Sequence, residues 1–182
     1  DSDHLPVEIL KQVGKGAFGA VFLGGWSGQD VAVKCVDSGD LAELVAELAI
    51  LKRLNHPRIV RLYGVTEARG SPAIVLEWCP GGSLDVLLDQ RRDLGPPDFH
   101  RFCLQISQGL AFLAAKSVLH RDLACRNVLA DGNTDCKITD FGLSRAVSVE
   151  AGDQGEYKVT SSAVPIRWTA PEVLVEKAAT AL

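Results

Sequence analysis

The placement of its glycines restricts this chain more than any other feature. Gly14, Gly16 and Gly19 interrupt residues 8–35, where apolar side chains recur at near-alternate positions: Ile9, Val13, Phe18, Val21, Leu23, Val31 and Val33. Period-two patterning predicts strands with one face on a core, and glycine clusters at 14–19 and 24–28 predict the turns between them. The segment therefore reads as three short antiparallel strands. Gly14-Lys15-Gly16-Ala17-Phe18-Gly19 has the form G-x-G-x-x-G, which two unlike phosphate-binding devices share. In a dinucleotide fold it follows a strand and opens a helix. Here Ala20-Val21-Phe22-Leu23 continues as strand, so bare backbone amides could approach phosphates from a strand–turn–strand. An ordinary hairpin is equally compatible with this motif alone. A Walker A loop is excluded, because no G-K-[ST] follows at the required spacing.

The period then changes. Leu44, Leu48 and Leu51 fall at i, i+4 and i+7, which predicts a helix over 41–54 stopped by Asn55-His56-Pro57. Val31-Ala32-Val33-Lys34 ends an apolar strand in a lysine, and a buried ammonium needs a partner. Glu47, on the leucine face of the helix, offers one; an exposed edge lysine is the alternative. Residues 59–65 and 72–77 return to strand character, and Pro80-Gly81-Gly82 breaks the chain. Ser83 reads as the N-cap of a short helix through Leu88. Pro96-Pro97 opens a long helix, 98 to about 116, with Phe102, Ile106, Leu110 and Leu113 on one side. Beyond it the pattern is one of short strands and loops.

Within that last part, His120-Arg121-Asp122-Leu123-Ala124-Cys125-Arg126-Asn127 gathers a carboxylate, cations and an amide between apolar Val118-Leu119 and Val128-Leu129. A carboxylate so placed can accept a proton from an attacking hydroxyl, and an asparagine oxygen can ligate a metal. Asp140-Phe141-Gly142 follows a short strand at 136–139 and supplies a second metal-binding oxygen. Hard Mg2+ favours such ligands together with substrate phosphate. Either string alone is also compatible with a plain loop turn.

Composition narrows the classes. The chain has 182 residues, 47% hydrophobic and 23% charged, with a formal net charge of -4. There is no net basic excess from which to build a nucleic-acid face, and no apolar run approaches the ~20 residues that span a bilayer. Cys35, Cys79, Cys103, Cys125 and Cys136 are scattered and never spaced C-x-x-C. They read as reduced, mostly structural thiols of a cytosolic setting, neither a disulfide framework nor a zinc site. With no methionine at position 1 or elsewhere, the chain is expected to be a fragment of a longer one.

Order along the chain joins the motifs: glycine loop, V-A-V-K, helix glutamate, H-R-D-x-x-x-x-N, D-F-G and Ala170-Pro171-Glu172. From its first strand to that last triplet the chain resembles the eukaryotic protein kinase family. The resemblance implies an α+β, bilobal kinase fold: a five-stranded antiparallel N-lobe sheet with one helix over 7–77, a hinge at 78–82, and a mainly helical, incomplete C-lobe over 83–182. It implies ATP and Mg2+ as cofactors and a protein substrate. Asp122 would be the catalytic base, Arg126 an electrostatic clamp on the transferring phosphoryl group, and Lys34, paired to Glu47, the phosphate-positioning cation. Gly14, Lys15, Gly16, Ala17, Phe18 and Gly19 would cover the phosphates. Val21, Ala32 and Leu129 would sandwich the adenine, and the backbone of Glu77, Trp78 and Cys79 would receive its edge, with Leu76 guarding the rear. Asn127 and Asp140 would hold Mg2+. Leu51, Leu62, His120 and Phe141 would stack as an apolar spine. Residues 143–169 would form an activation loop whose Tyr157, Thr160, Ser161 and Ser162 are candidate phosphosites, with Arg121 and Arg145 receiving the phosphate.

Ser/Thr kinases of the family usually carry lysine two residues after the catalytic aspartate, where this chain has Ala124; its cation stands at Arg126, as in tyrosine kinases. Pro165-Ile166-Arg167-Trp168-Thr169 is similar to the tyrosine-kinase substrate platform. Gly24-Gly25-Trp26-Ser27-Gly28 is similar instead to the tyrosine-kinase-like group, which mostly modifies Ser/Thr. Tyrosine specificity is the favoured expectation, with a Ser/Thr kinase and a non-catalytic scaffold as alternatives. A dinucleotide oxidoreductase is disfavoured by Lys34, where an acidic residue would be needed. Ten residues follow Glu172, so the underside of the long helix is expected to lack cover and the chain alone to be marginally stable and poorly active. A cytoplasmic location is expected, whether the parent is a receptor or not.

Overall fold

The computed structural model describes residues 4–16, 19–35, 41–132, 135–146, 156–158, 166–169, 171, 174 and 178–180. Strands β1 (Glu8–Gly16), β2 (Gly19–Trp26) and β3 (Gln29–Cys35) form the antiparallel meander that the alternation predicts. Helix α1 (Leu41–Leu51) follows, then β4 (Leu62–Ala68) and β5 (Ser71–Glu77). The five strands make one sheet in the order β1-β2-β3-β5-β4. Two-residue turns close two of its hairpins, at Ser27-Gly28 (φ 50° and 78°) and at Arg69-Gly70 (φ 56° and 77°). Positive φ at both central residues is the geometry whose twist matches paired strands.

Sequence patterning put the second turn at 24–28, but Gly24 and Gly25 lie inside β2. A Cβ at Gly24 would stand 2.8 Å from Val7 Cγ1 and 2.9 Å from the Glu8 carbonyl oxygen, so glycine is there for close packing. Helix α1 also stops at Leu51, three residues early, because Arg53 and Leu54 close tighter turns onto the Ile50 and Leu51 carbonyls. The strand expected at 59–65 begins only at Leu62. Ile59 instead bridges Ile138, and the Val60 amide donates to the Ile138 carbonyl at 3.0 Å. That connection ties the sheet layer to the second half of the chain.

The second half opens with β6 (Gly82–Ser83), α2 (Leu84–Gln90) and α3 (Pro96–Ala115). Ser83 occupies the N-cap of α2 but makes no side-chain capping bond. At α3 the Gly95 amide donates to Asp98 Oδ2 at 3.0 Å, so the helix begins at Pro96 rather than 98. Its buried face is Phe102, Gln105, Gly109 and Leu113, with Ile106 and Leu110 half-buried at its margin. Then come β7 (Val118–Leu119), a 3-10 turn at Cys125–Asn127, β8 (Val128–Ala130), β9 (Cys136–Ile138) and β10 (Arg145–Ala146). Strands β6, β8 and β9 form a small sheet beneath the first layer. Strand β11 (Glu156–Lys158) pairs with β12 (Ala178–Thr180), and a 3-10 turn spans Ile166–Trp168. This is an α+β, two-layer arrangement of sheet lobe and partial helical lobe. One core cluster runs through both: Leu44, Leu51 and Ile74 from the first, Leu113, Val118, Ile138 and Phe141 from the second. Among the described residues no helix is long and apolar enough to cross a membrane.

Candidate active site

A cleft of about 770 Å³ lies between the two layers. Gly14, Lys15 and Gly19 from the β1–β2 hairpin line it, as do Glu77, Trp78 and Cys79 at and after the end of β5. Val21 of β2, Ala32 of β3, Leu76 of β5 and Leu129 of β8 also line it. Alternation along β2 and β3 puts Val21 and Ala32 on one side of the sheet, so this part of the cleft has an apolar lining suited to a ring.

The charged end is built from four elements. Lys34, last but one in β3, donates from Nζ to both oxygens of Glu47 at 2.8 Å and to Asp140 Oδ1 at 2.9 Å. Glu47 reaches it because the leucine face of α1 packs on the sheet and carries the carboxylate inward. The side chains of Lys34 and Glu47 are 11% and 4% exposed, that of Asp140 30%. Burial opposes the charge on Lys34, but the two carboxylates outweigh it and raise its pKa. For Glu47 burial is the larger effect and raises the pKa; Lys34 pulls it back and Asp140 adds repulsion. The two move in the same direction from different causes, the carboxylate charges for Lys34 and burial for Glu47.

Asp122 is buried, and both its oxygens are engaged. Oδ1 accepts from Arg126 Nη2 at 2.5 Å, and Oδ2 accepts from Asn127 Nδ2 at 2.8 Å. Asn127 Nδ2 also donates to the Asp122 carbonyl at 2.7 Å. The 3-10 turn is what brings residues 126 and 127 back over 122. Arg121 and Asp140 sit at φ 68° and 63°, the left-handed backbone that non-glycine residues hold only when their surroundings fix it. His120 supplies part of that fixing: its Nδ1 accepts the Asp122 amide at 3.3 Å and its Nε2 bonds the Thr139 carbonyl at 2.8 Å. Its ring meets Phe141 edge-on at 5.1 Å. Leu51 and Phe141 share the core, with Leu62 packed against it.

This places a proton at Nε2 and none at Nδ1. Burial holds the His120 pKa below its usual 6.5. The unfolded chain then protonates first, so the stability is present above pH 6.5 and is lost as pH falls below it. The urea midpoint is expected to drop between pH 7.5 and 5.5, and His120→Gln to flatten that slope. His56, also lowered by burial and by Arg58, contributes in the same sense. A slope that His120→Gln leaves unchanged would assign the effect elsewhere.

Cys79 and Cys136 are buried, and burial pushes their thiols up to about 12 and about 11. Neither is a nucleophile at neutral pH. Cys35 is buried too; Cys103 and Cys125 are exposed. Glu77 turns its carboxylate to Lys137 Nζ at 2.9 Å and accepts the Arg61 amide at 3.2 Å, bracing the back of the cleft. Ala17, Phe18, Thr160, Ser161 and Ser162 lie outside the described residues, and only the backbone of Gly16, Arg145 and Tyr157 is described. Val60, Thr139 and Leu143 also line the cleft and were not singled out in the sequence. Only Leu143, directly after Asp140-Phe141-Gly142, carries a sequence signal.

A family model described as protein tyrosine and serine/threonine kinase matches residues 7–181. The chain belongs to this protein kinase family. Among curated relatives it is 36% identical over 171 residues to the human cytoplasmic tyrosine-protein kinase BMX, covering 92% of this chain and 25% of that protein. It is 38% identical over 169 residues to mouse tyrosine-protein kinase Srms, covering 90% and 33%. Tyrosine-protein kinase SRK2 of Spongilla lacustris is 37% identical over 172 residues, covering 91% and 46%. The chain thus spans about a quarter to a half of the length of these kinases.

Proposed function

We propose that this chain is the ATP-binding and catalytic region of a protein-tyrosine kinase, which transfers the γ-phosphoryl group of ATP to a tyrosine hydroxyl of a protein. The observation that carries the reading is that Lys34 bonded to Asp140, and Asn127 bonded to Asp122, line one cleft together with apolar Val21, Ala32 and Leu129. The hinge is taken as 78–82, between lobes at 7–77 and 83–182. The adenine would lie between Val21 and Ala32 above and Leu129 below. Gly14 and Gly19 would let the hairpin backbone close over the phosphates, and Lys34, held by Glu47, would pair with them.

The donor set fits Mg2+. Asn127 uses its nitrogen on Asp122, leaving Oδ1 as a ligand, and Asp140 presents a part-exposed carboxylate. Both are hard oxygen donors, and a phosphate-bearing partner would complete the shell. Bound there, the metal would neutralise phosphate charge as it builds. Asp122 would receive the phenolic proton: an ionised carboxylate has about four acceptor positions, and Arg126 and Asn127 occupy two. Arg126 would set positive charge beside the transferring group.

Tyrosine is preferred because Ala124 leaves no lysine near Asp122 and the relatives are named tyrosine-protein kinases. We place the protein in the cytoplasm or on the cytoplasmic side of a receptor. Phosphorylation at Tyr157, Thr160, Ser161 or Ser162 would add roughly -1.5 to -2 charge for Arg121 and Arg145 to meet. The test is a transfer assay on the intact protein with Mg-ATP and a mixed Tyr, Ser and Thr peptide pool. Phosphotyrosine is the expected product. Phosphoserine or phosphothreonine would move the protein to the tyrosine-kinase-like group, and ATP binding without transfer would make it a scaffold.

A further inference from the structure

Two side chains of one loop and a third from far along the sequence stand in a row. The Trp168 ring centroid lies 4.4 Å from the Arg126 guanidinium carbon, and Arg126 Nη2 donates to Asp122 Oδ1. Trp168 ends the 3-10 turn Ile166–Trp168, some forty residues beyond the turn that carries Arg126. The Arg126 side chain is 41% exposed, and Trp168 is 46% exposed. An arginine so open to water would sample many rotamers unless something fixes its plane. Asp122 fixes one end of the fork; an indole face is the strongest aromatic partner for a guanidinium. The stack suits arginine's flat, delocalised cation and would not suit lysine.

We propose that Trp168 is a positioning residue for phosphoryl transfer, its indole holding the Arg126 guanidinium against Asp122. The inference rests on the kinase reading and adds to it. The activation-segment residues 166–168 then do more than shape a floor for the incoming phenol. They keep the clamp cation aligned beside the base, and displacement of this turn would free Arg126 to rotate away. Alignment before reaction is what makes a fixed charge effective on the developing phosphoryl charge.

The test is steady-state kinetics on the intact protein with Mg-ATP and a tyrosine peptide. Trp168→Leu keeps bulk without the π face, and is expected to lower kcat roughly tenfold with the ATP KM changed less than about twofold. Trp168→Phe, which keeps an aromatic face, is expected to recover most of that loss. Arg126→Ala with Trp168→Leu is expected to be no slower than Arg126→Ala alone, because the tryptophan acts through the arginine. Multiplying losses in the double variant, or a raised peptide KM with kcat untouched, would overturn the proposal and leave Trp168 as substrate floor only. Asp122→Asn runs alongside. Wild-type transfer that disappears in it upholds the kinase reading whatever Trp168 does, whereas no wild-type transfer removes both.

Discussion

Lys34→Met alone is expected to destabilise the kinase region by about 3–5 kcal/mol, and Lys34→Met with Glu47→Leu to recover most of that loss. The asymmetry follows from burial. Glu47 is 4% exposed and faces no cation but Lys34 among the described residues. Without the lysine it is a carboxylate in an apolar core, next to Leu44 and Leu51, with Asp140 repelling it. The double variant removes both charges and puts comparable apolar bulk in their place. Asp140 then loses its lysine too, but at 30% exposed it can be hydrated.

The pH dependence gives a second handle. In Lys34→Met the Glu47 pKa, already raised by burial, rises further for want of its counter-ion. A raised carboxyl contributes stability below its unfolded pKa and loses it as pH climbs through the folded one. The single variant is therefore expected to be closer to wild type at pH 5 than at pH 8, and the double variant to lack this difference. Urea midpoints at both pH values decide it. Equal destabilisation by the single and double changes would mean that the pair is hydrated in solution. Neither variant is expected to transfer phosphate, since both lack the cation proposed to position the phosphates.

That pair was legible in the sequence because each member sits in a strongly patterned element. The V-A-V-K strand fixes which way Lys34 points, and the leucine stripe fixes the inward face of α1. Nothing local told the chain to cross back at Ile59 to Ile138, or set the strand order β1-β2-β3-β5-β4. Those are choices between partners that look alike by pattern. On α3 the apolar stripe named Phe102, Ile106, Leu110 and Leu113; Phe102 and Leu113 are buried as expected, but Gln105 and Gly109 join them while Ile106 and Leu110 stay half-buried. Gln105 is drawn in by polar work: its Oε1 accepts the Cys136 amide at 2.7 Å, beside the bonds that Arg58 and Val60 make to Ile138 on β9. A Cβ at Gly109 would stand 2.8 Å from Ile138 Cδ1 and 3.2 Å from the Arg58 carbonyl oxygen, so glycine lets α3 approach β9 closely. Hydrophobic periodicity is blind to both. The stack of Trp168 on Arg126 escaped for the same reason: it joins two turns, and turns carry no period.

Asp122→Asn is expected to lower kcat by about 10²–10⁴-fold, the range a positioned proton acceptor supplies, with ATP affinity nearly unchanged. An amide has one acceptor oxygen where the carboxylate has two. It can satisfy either Arg126 or Asn127, and must turn its own NH2 towards the other. Asn127 is buried, while the Arg126 side chain is 41% exposed. The oxygen is therefore expected to stay with Asn127, and Arg126 to move out into water. The loop should survive this exchange. Its remaining ties are backbone groups that the substitution spares: the Asp122 carbonyl holding Asn127 Nδ2, and the Asp122 amide donating to His120 Nδ1. The stability cost is expected to be about 1–3 kcal/mol, the range for a disturbed buried hydrogen bond. The apolar slot proposed for adenine and the Lys34–Glu47–Asp140 cluster lie apart from these hydrogen bonds, which is why nucleotide binding should persist. Isothermal titration with Mg-ATP beside single-turnover transfer to a tyrosine peptide separates the two quantities. A fall in kcat of less than tenfold would show that the phenolic proton leaves by another route, and Asp122 would then be a loop-holding residue instead of the base.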